Sequence, residues 1–229
     1  MATRQTQDRI LDAAIELFNE FATSEVSTNR VATVCELSRG NLHYHFQTKK
    51  QIIQSVFQRM TKEVDAAWYS DHLRPTLEHM AEMFARHSLL VYRYRFFYRE
   101  MPDLLRSDPL LMQRYLEYRQ RRIRVVELFF LELDRRGVAQ MQGNLTLIKS
   151  LVESTWVLSD NWLNSAWALE SEISGQTIVR SYSAILDILR PYMSADVPTV
   201  MHLSEAAILG HVRSCNTLTS RDVLTTALA

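Results

Sequence analysis

Apolar residues recur every three or four positions along most of the chain, a spacing that places them on one face of an α-helix. The pattern begins at residues 4–22, continues through two shorter segments at 27–35 and 38–46, and resumes after residue 48 in longer segments that extend to about residue 192. Strand-like alternation of apolar and polar residues is absent from the sequence. We therefore predict an all-α fold, with three short helices followed by several long ones.

Capping residues predict where these helices begin and end. Residues 76–101 contain no Gly or Pro, so they predict one long helix or two, ended by Pro102. Gly137 is a suitable residue to follow the C-terminus of the helix that starts after Asp108. Helix starts are predicted at Ser27 or Thr28, Ser38, Thr48, Asp108 and Asn144. The side-chain oxygens of these residues can accept hydrogen bonds from the N–H groups of the first helical turn.

Composition and charge limit the possible functions. Five Gly and five Pro among 229 residues are too few for a many-turned β protein, and 26 Lys and Arg balance 26 Asp and Glu. Without net charge, nucleic-acid binding has to depend on a local site. The N-terminus lacks a secretory signal, no apolar run is long enough to span a membrane, and two cysteines allow one disulfide at most. We therefore expect a reduced protein in the cytoplasm.

The segment SRGNLHYHF, at residues 38–46, predicts a short helix that depends on its neighbours. Ser38 is a suitable N-cap, and Leu42 and Phe46 lie one turn apart on the same face. Because a helix this short is marginal in water, these two side chains must pack against adjacent helices. A helix at 27–35, a tight connection and this helix have the spacing of a helix-turn-helix motif, whose second helix enters the DNA major groove.

The outward face of the 38–46 helix is rich in side chains that suit DNA. A polar helix face is usually only solvated, but Gly40 costs about 1 kcal/mol relative to alanine in a helix. A solvated face also has no need of an exposed tyrosine. Contact with base edges and phosphates is therefore favoured for the residues of this face and the lysines just beyond it: Arg39, Gly40, Asn41, His43, Tyr44, Lys49 and Lys50.

Residues 10–53, ILDAAIELFNEFATSEVSTNRVATVCELSRGNLHYHFQTKKQII, resemble the N-terminal domain of the tetracycline-repressor (TetR) family of bacterial transcription factors. The stretch LSRGNLHYHFQTK is the most specific part of this resemblance. The resemblance implies an all-α homodimer whose variable C-terminal domain binds a small effector. It also implies that the last two major helices form the dimer interface.

The resemblance also implies roles for individual residues. Thr28 and Asn29 open the first helix of the motif, and Lys49 reaches phosphate from the start of the fourth helix. Arg4 lies in an N-terminal arm of the kind that enters the minor groove. The residues implied to contact the groove and its walls are Arg39, Gly40, Asn41, His43, Tyr44 and His45.

Two positions depart from the family pattern. Ala22 and Glu36 stand where members of the family usually have glycine. Glu36 falls in the turn of the motif, where a positive φ is expected, and such a φ is unfavourable for a residue with a side chain.

No metal, cofactor or catalytic site is predicted. His43 and His45 are about 200° apart around a helix, and His79 and His87 are separated by roughly 12 Å along the helix axis, so neither pair suits a single ion. Motifs for a nucleophile, a phosphate-binding loop or a zinc site are missing from the sequence. The sequence therefore does not indicate an enzyme.

The aromatic segment VYRYRFFYREM, at residues 91–101, permits two interpretations. Its apolar face packs in the core, or it lines an effector pocket with a few polar anchors. Arg93, Arg95 and Arg99 beside such a pocket would suit an anionic head group. The candidate pocket residues are Met83, His87, Tyr94, Phe97, Tyr98, Tyr118 and Trp156.

The last two strongly periodic helices are the expected dimer interface. Their apolar residues proposed for this interface are Leu151, Trp162, Ile178, Tyr182 and Ile185. We accordingly divide the chain into a helix-turn-helix domain at 1–50, an effector-binding and dimerisation domain at 51–194, and a C-terminal extension of unknown role at 195–229.

The sequence therefore predicts a homodimeric, ligand-responsive regulator, a repressor, that binds a near-palindromic double-stranded operator. A small, largely apolar effector would tilt the helix at 48–69 and release the DNA, and no membrane partner is expected. The alternative is a protein with the regulator fold that acts through protein–protein contacts and has no operator of its own.

Overall fold

The computed structural model describes residues 2–68, 76–170 and 173–193, together with Glu205, Ile208 and Leu209. The C-terminal extension assigned at 195–229 otherwise lies outside the described residues. The helices of the described segments are α1 (Ala2–Glu20), α2 (Thr28–Val34), α3 (Arg39–His45), α4 (Lys49–Trp68), α5 (Leu77–Arg93), α6 (Arg95–Ser107), α7 (Pro109–Arg135), α8 (Leu145–Trp167) and α9 (Gly175–Leu189), followed by a 3-10 turn at Arg190–Tyr192. The all-α prediction is confirmed.

The first three helices form a small unit on the N-terminal part of α4. α1 packs against α2 and α4, and α2 packs against α3. Phe18 of α1 and Val31 of α2 are buried in this unit, as are Leu42 and Phe46 from the region of α3. The two apolar side chains of the 38–46 segment therefore anchor α3, as its short length requires.

Side-chain caps set most of the helix starts at the predicted residues. Ser27 accepts from the N–H of Arg30, and Ser38 accepts from the N–H of Asn41. The caps predicted at Thr48, Asp108 and Asn144 also accept from first-turn N–H groups of their helices. Gly137 has a φ of 72°, the left-handed conformation expected just after the end of α7.

Pro102 does not end a helix, contrary to the prediction. The 76–101 segment instead divides at Tyr94, and Pro102 lies inside α6. A proline in a helix leaves the carbonyl four residues earlier, here that of Tyr98, without its usual N–H donor. The side-chain amide of Asn164 on α8 donates to this carbonyl at 3.3 Å, so a tertiary contact replaces the missing bond.

The larger C-terminal part is a bundle in which α5, α8 and α9 pack together and α6 and α7 pack against α8. In the described part of the chain, no helix is both long and apolar enough to cross a lipid bilayer.

The apolar residues predicted for the dimer interface lie instead in the core of this bundle, contrary to the prediction. Each of the five is at most 6% exposed in the single chain: Leu151, Trp162, Ile178, Tyr182 and Ile185. A side chain buried by its own chain is not available to a partner. The periodicity identified a buried face correctly, but it could not tell which surface buries that face.

Candidate nucleic-acid interface and ligand cavity

The outward face of α3 forms an exposed ridge at one end of the molecule. Tyr44 is the most prominent side chain, with 79% of its surface accessible, while Leu42 on the opposite face is 3% exposed. The neighbouring polar residues of the ridge are also exposed: Arg39, Asn41 and His43. An exposed tyrosine beside polar side chains on a short, anchored helix is suited to contact base edges and phosphates.

Gly40 leaves the ridge open beside Tyr44. A Cβ atom built at this position would meet no heavy atom of the chain within 4 Å. Packing within the chain therefore does not require a glycine here. The absence of a side chain instead leaves space for another molecule to approach the backbone of α3.

His45 differs from the other predicted contact residues because it is half-buried. Its ring packs edge-on against Tyr44, with ring centroids 5.2 Å apart. His45 therefore supports the orientation of Tyr44 and contributes less surface to the ridge than the sequence suggested.

The start of α2 carries the other two residues of the motif predicted to lie near DNA. Asn29 is exposed and Thr28 is half-buried. Ser27 caps the helix by accepting from the N–H of Arg30.

Arg4 lies in the first turn of α1, not in an extended N-terminal arm as predicted. Its side chain is exposed. A helical backbone at this position shortens its reach compared with an extended arm.

The two lysines predicted to favour phosphates bind carbonyl groups of the chain itself. The Lys49 ammonium group donates to the carbonyls of Thr23 and Val26, at 2.6 and 3.0 Å. The Lys50 ammonium group donates to the carbonyl of Ser107, at 2.7 Å, at the C-terminus of α6. Both lysines therefore hold the helix-turn-helix unit to neighbouring segments.

The turn between α2 and α3 contains a strained residue. Glu36 has a φ of 55°, the positive value expected where the family usually has glycine. Ala22, the other departure from the family pattern, does not have a positive φ.

Replacing Glu36 with glycine is expected to raise the free energy of unfolding by about 0.5–1 kcal/mol, because glycine adopts a positive φ without steric cost. Chemical denaturation measures this change. Glu36→Ala is the matched control, since alanine also lacks the carboxylate but keeps the Cβ atom. Equal stabilisation by both variants would mean that the Glu36 side chain, and not its backbone, is unfavourable.

Comparison with known proteins agrees with a helix-turn-helix unit followed by a larger helical part. Residues 10–56 match the family model for bacterial regulatory proteins of the tetR family, and residues 58–198 match the TetR model for a bacterial transcriptional repressor. The chain belongs to the TetR family of transcriptional regulators.

The relatives of this TetR-family protein include curated proteins that match part of the chain and solved structures that match most of it. Among curated proteins, it is 28% identical over 68 residues to the transcriptional regulator QacR of Staphylococcus aureus and 37% identical over 51 residues to UidR of Escherichia coli. These matches span 30% and 22% of the chain, and 36% and 26% of the relatives.

Solved structures match over most of the chain. A TetR-family regulator from Marinobacter aquaeolei is 30% identical with a TM-score of 0.77, covering 87% of this chain and 97% of that one. A regulator from Saccharomonospora viridis, solved in complex with choline, is 17% identical with a TM-score of 0.66 and covers 82% of this chain and 96% of that one.

The C-terminal part of the TetR-family chain contains a cavity of about 600 Å³, a volume that includes its opening to solvent. Residues of α4, α5, α6, α7 and α8 line it. Five of the seven residues predicted for the effector pocket are among them: His87, Phe97, Tyr98, Tyr118 and Trp156. The other two, Met83 and Tyr94, are fully buried in the core and do not line this cavity.

Two charged residues that were not among the predicted pocket residues, Asp160 and Arg122, also line the cavity. Asp160 accepts a hydrogen bond from the Tyr115 hydroxyl at 3.2 Å, and its burial raises the pKa of this carboxyl group to about 6. Arg122 lies over the ring of Trp68, at 4.5 Å from the ring centroid, and 3.8 Å from the carboxylate of Asp65. Each is a charged residue on the apolar face of a helix, which was a signal available in the sequence.

The arginines of the 91–101 segment do not form an anion site in this cavity. Arg93 pairs with Glu63, and Arg95 lies over the ring of Tyr92. Arg99 turns towards α1 and donates to the carbonyls of Phe18 and Phe21, at 2.8 and 3.0 Å. The cavity wall thus includes none of these three guanidinium groups.

Arg99 belongs to a polar junction between α6 and the helix-turn-helix unit. Its neighbour Glu100 accepts from the backbone N–H and the hydroxyl of Thr23, in the loop after α1. On the other side, the side-chain amide of Asn19 donates to the carbonyl of Arg93 and accepts from the N–H of Phe96. These contacts fix the start of α6 against the end of α1.

Proposed function

We propose that this TetR-family regulator binds a near-palindromic operator in the cytoplasm as a homodimer and is released by a small-molecule effector, and so acts as a repressor. The observation that carries the proposal is the exposed ridge of α3, where Tyr44 projects from a helix anchored beneath by Leu42 and Phe46. Two such helices, about 34 Å apart in a dimer, would enter successive major grooves on one side of the DNA.

The exposed side of α8 is the surface we propose for dimerisation. Val157 on this side is 52% exposed although it is apolar, and Leu169, just beyond the helix, is 84% exposed. α9 packs beside α8 and presents half-buried Ala184 on its own accessible side. Small and apolar residues on two adjacent helices suit close packing against the same helices of a second copy.

Effector action can be connected to the α3 ridge through α6. Phe97 and Tyr98 line the cavity, and the next two residues, Arg99 and Glu100, hold the end of α1 and the loop that follows it. An effector that displaces the two aromatic rings would therefore shift the junction with the helix-turn-helix unit. Release follows if the effector binds the shifted state more tightly than the DNA-competent state.

The helix expected to respond to the effector, α4, also contributes to this path. It lines the cavity through Phe57, Met60 and Trp68, and its first turn holds Lys50 against the C-terminus of α6. Movement of α6 would therefore reach the DNA-binding unit in two ways, directly through α1 and through the first turn of α4.

Tyr44→Ala tests the DNA-binding part of the proposal. Loss of one base or phosphate contact costs about 1–3 kcal/mol, and a dimer loses two, so operator affinity should fall about 30-fold or more. Because Tyr44 is exposed, the thermal stability and the dimer should not change. The measurement is a gel-shift titration with DNA from the region upstream of the coding sequence, in the presence of competitor DNA.

Leu116→Ala, which removes a half-exposed apolar side chain of α7, is the matched control and should bind like the wild type. Wild-type affinity of Tyr44→Ala would refute the assignment of the α3 ridge. Failure of the wild-type protein to retard any upstream fragment would favour the alternative, a regulator fold that acts through protein–protein contacts.

Val157→Glu tests the dimer surface. A carboxylate buried at the centre of an apolar interface is costly, so we expect the variant to sediment as a monomer at micromolar concentration where the wild type is a dimer. Leu128→Glu, at an apolar α7 residue that is 65% exposed, is the control and should remain dimeric. A dimer that persists in Val157→Glu but is lost in Leu128→Glu would show that the interface lies on α7.

A further inference from the structure

Asp160 is a buried carboxylate that has no cationic partner in the described part of the chain. It accepts a hydrogen bond from the Tyr115 hydroxyl at 3.2 Å, and the Trp156 side chain also favours its ionised form. Arg119, the cationic side chain whose charge acts on it, is paired with Glu153 at 2.6 Å and lies over the ring of Trp156. Buried carboxylates are normally paired with a cation, so this position is unusual.

The other ionisable groups of the cavity do not compensate this charge. Arg122 is stacked on Trp68 and lies 3.8 Å from the carboxylate of Asp65, which also pairs with Arg121 at 2.9 Å. Arg122 is not among the groups whose charge acts on Asp160. His87 is neutral at physiological pH, because burial lowers its pKa to about 4. Ionised Asp160 is therefore a local negative charge in the cavity wall with no cation paired to it.

The rest of the cavity wall is mainly aromatic. Rings from five helices face it, among them Phe57, Phe97, Tyr98, Tyr118 and Trp156. Phe57 packs against Phe97 and Tyr118, with ring centroids 5.2 and 6.0 Å apart, so the rings form a continuous surface. The faces of aromatic rings attract cations, and most strongly where water is excluded.

We propose that this cavity binds an organic cation, with a substituted or quaternary ammonium group placed against the Asp160 carboxylate and its apolar substituents against the surrounding rings. The assignment rests on the proposed function, because it names the chemical class of effector for the same cavity. A neutral ligand would leave the carboxylate uncompensated, and an anionic ligand would be repelled by it.

The test uses two pairs of probes that have nearly the same shape but differ in charge. Choline and benzyltrimethylammonium are the cations, and each is compared with the neutral compound that has carbon in place of the quaternary nitrogen. Benzoate serves as the anionic probe. Dissociation constants are measured by calorimetry at pH 7.5 on the wild-type protein without DNA. We expect at least one cation to bind about tenfold or more tightly than its neutral counterpart, because only the cation is attracted by the buried carboxylate.

Asp160→Asn should reduce affinity for that cation about tenfold or more and leave affinity for its neutral counterpart unchanged. Asp187→Asn is the matched control, since it removes an exposed carboxylate of α9 that pairs with Arg190, and it should bind like the wild type. Asp160→Glu keeps the charge and should retain the preference for the cation. Circular dichroism verifies that each variant is folded.

The proposal is overturned if neither cation binds more tightly than its neutral counterpart, if benzoate binds best, or if Asp160→Asn binds the cation like the wild type. The first two outcomes need no variant, so they remain decisive even if a substitution prevents folding. A gel-shift titration without ligand tests DNA binding separately. Preference for cations without any release of DNA would uphold the ligand class and refute effector-driven release.

Discussion

Arg99→Met lowers the free energy of unfolding by about 2–3 kcal/mol, because a charged hydrogen-bond donor is lost where several acceptors depend on it. The guanidinium group donates to the carbonyls of Phe18 and Phe21, and it pairs with Glu100 at 2.8 Å. Methionine keeps the apolar part of the side chain and removes only the donors. Urea denaturation of both proteins at the same pH measures the difference.

Arg106→Met is the control for this prediction. Arg106 is on the same helix, but its side chain is 70% exposed and pairs with Asp103 at the surface, so the change should stay within about 0.5 kcal/mol. Similar losses in both variants would mean that helix propensity, and not the junction with α1, explains the effect. We further expect Arg99→Met to bind effector normally but to release DNA less completely, because the path from the cavity is interrupted.

Asp160→Asn raises the free energy of unfolding by about 2–3 kcal/mol at pH 7.5, and this gain disappears near pH 4. Burial raises the pKa of Asp160 from its ordinary value of 3.8 to about 6. Between these values the native carboxyl holds a proton that the unfolded chain has lost. The contribution of Asp160 to stability is therefore full below about pH 4 and is lost as pH rises through 6. Asparagine remains neutral throughout, so the difference between the two proteins isolates this one group.

The groups that face Asp160 do not change charge across this range. They are the hydroxyl groups of Tyr98, Tyr115 and Tyr118, whose pKa values are raised by burial, and the guanidinium group of Arg119. Denaturation curves at several pH values between 4 and 8 provide the measurement. A stability difference that does not vary with pH would show that Asp160 is already ionised, or already protonated, throughout.

Local signals in the sequence predicted most of the secondary structure. Asp108 followed by Pro109, Ser38 before a short polar helix, and Gly137 after a long one each specify a helix boundary through the backbone groups that they satisfy or release. Pro102 was misleading because the donor that permits a helical proline, the Asn164 amide, is distant in sequence. Such compensation depends on packing and is not visible locally.

The candidate sites were less predictable because they depend on the direction of side chains. Tyr44 is exposed as the helical pattern required, since α3 has only one apolar face. Lys49 instead turns to carbonyls of a loop more than twenty residues earlier, and no local pattern indicates this. The same limit applies to the cavity, where the pattern identified Phe97 and Tyr98 but could not separate them from Tyr94, which lies in the core.

The order of residues along α6 has a practical consequence for the redesign of this protein as a biosensor. Phe97 and Tyr98 contact the cavity directly before Arg99 and Glu100 contact the DNA-binding unit. In the proposed mechanism, a substitution chosen to alter effector recognition there would also disturb signal transmission. Val152 and other α8 residues line the same space from a separate helix. Libraries that diversify α8 and keep α6 intact should therefore yield sensors with new inducers that still switch.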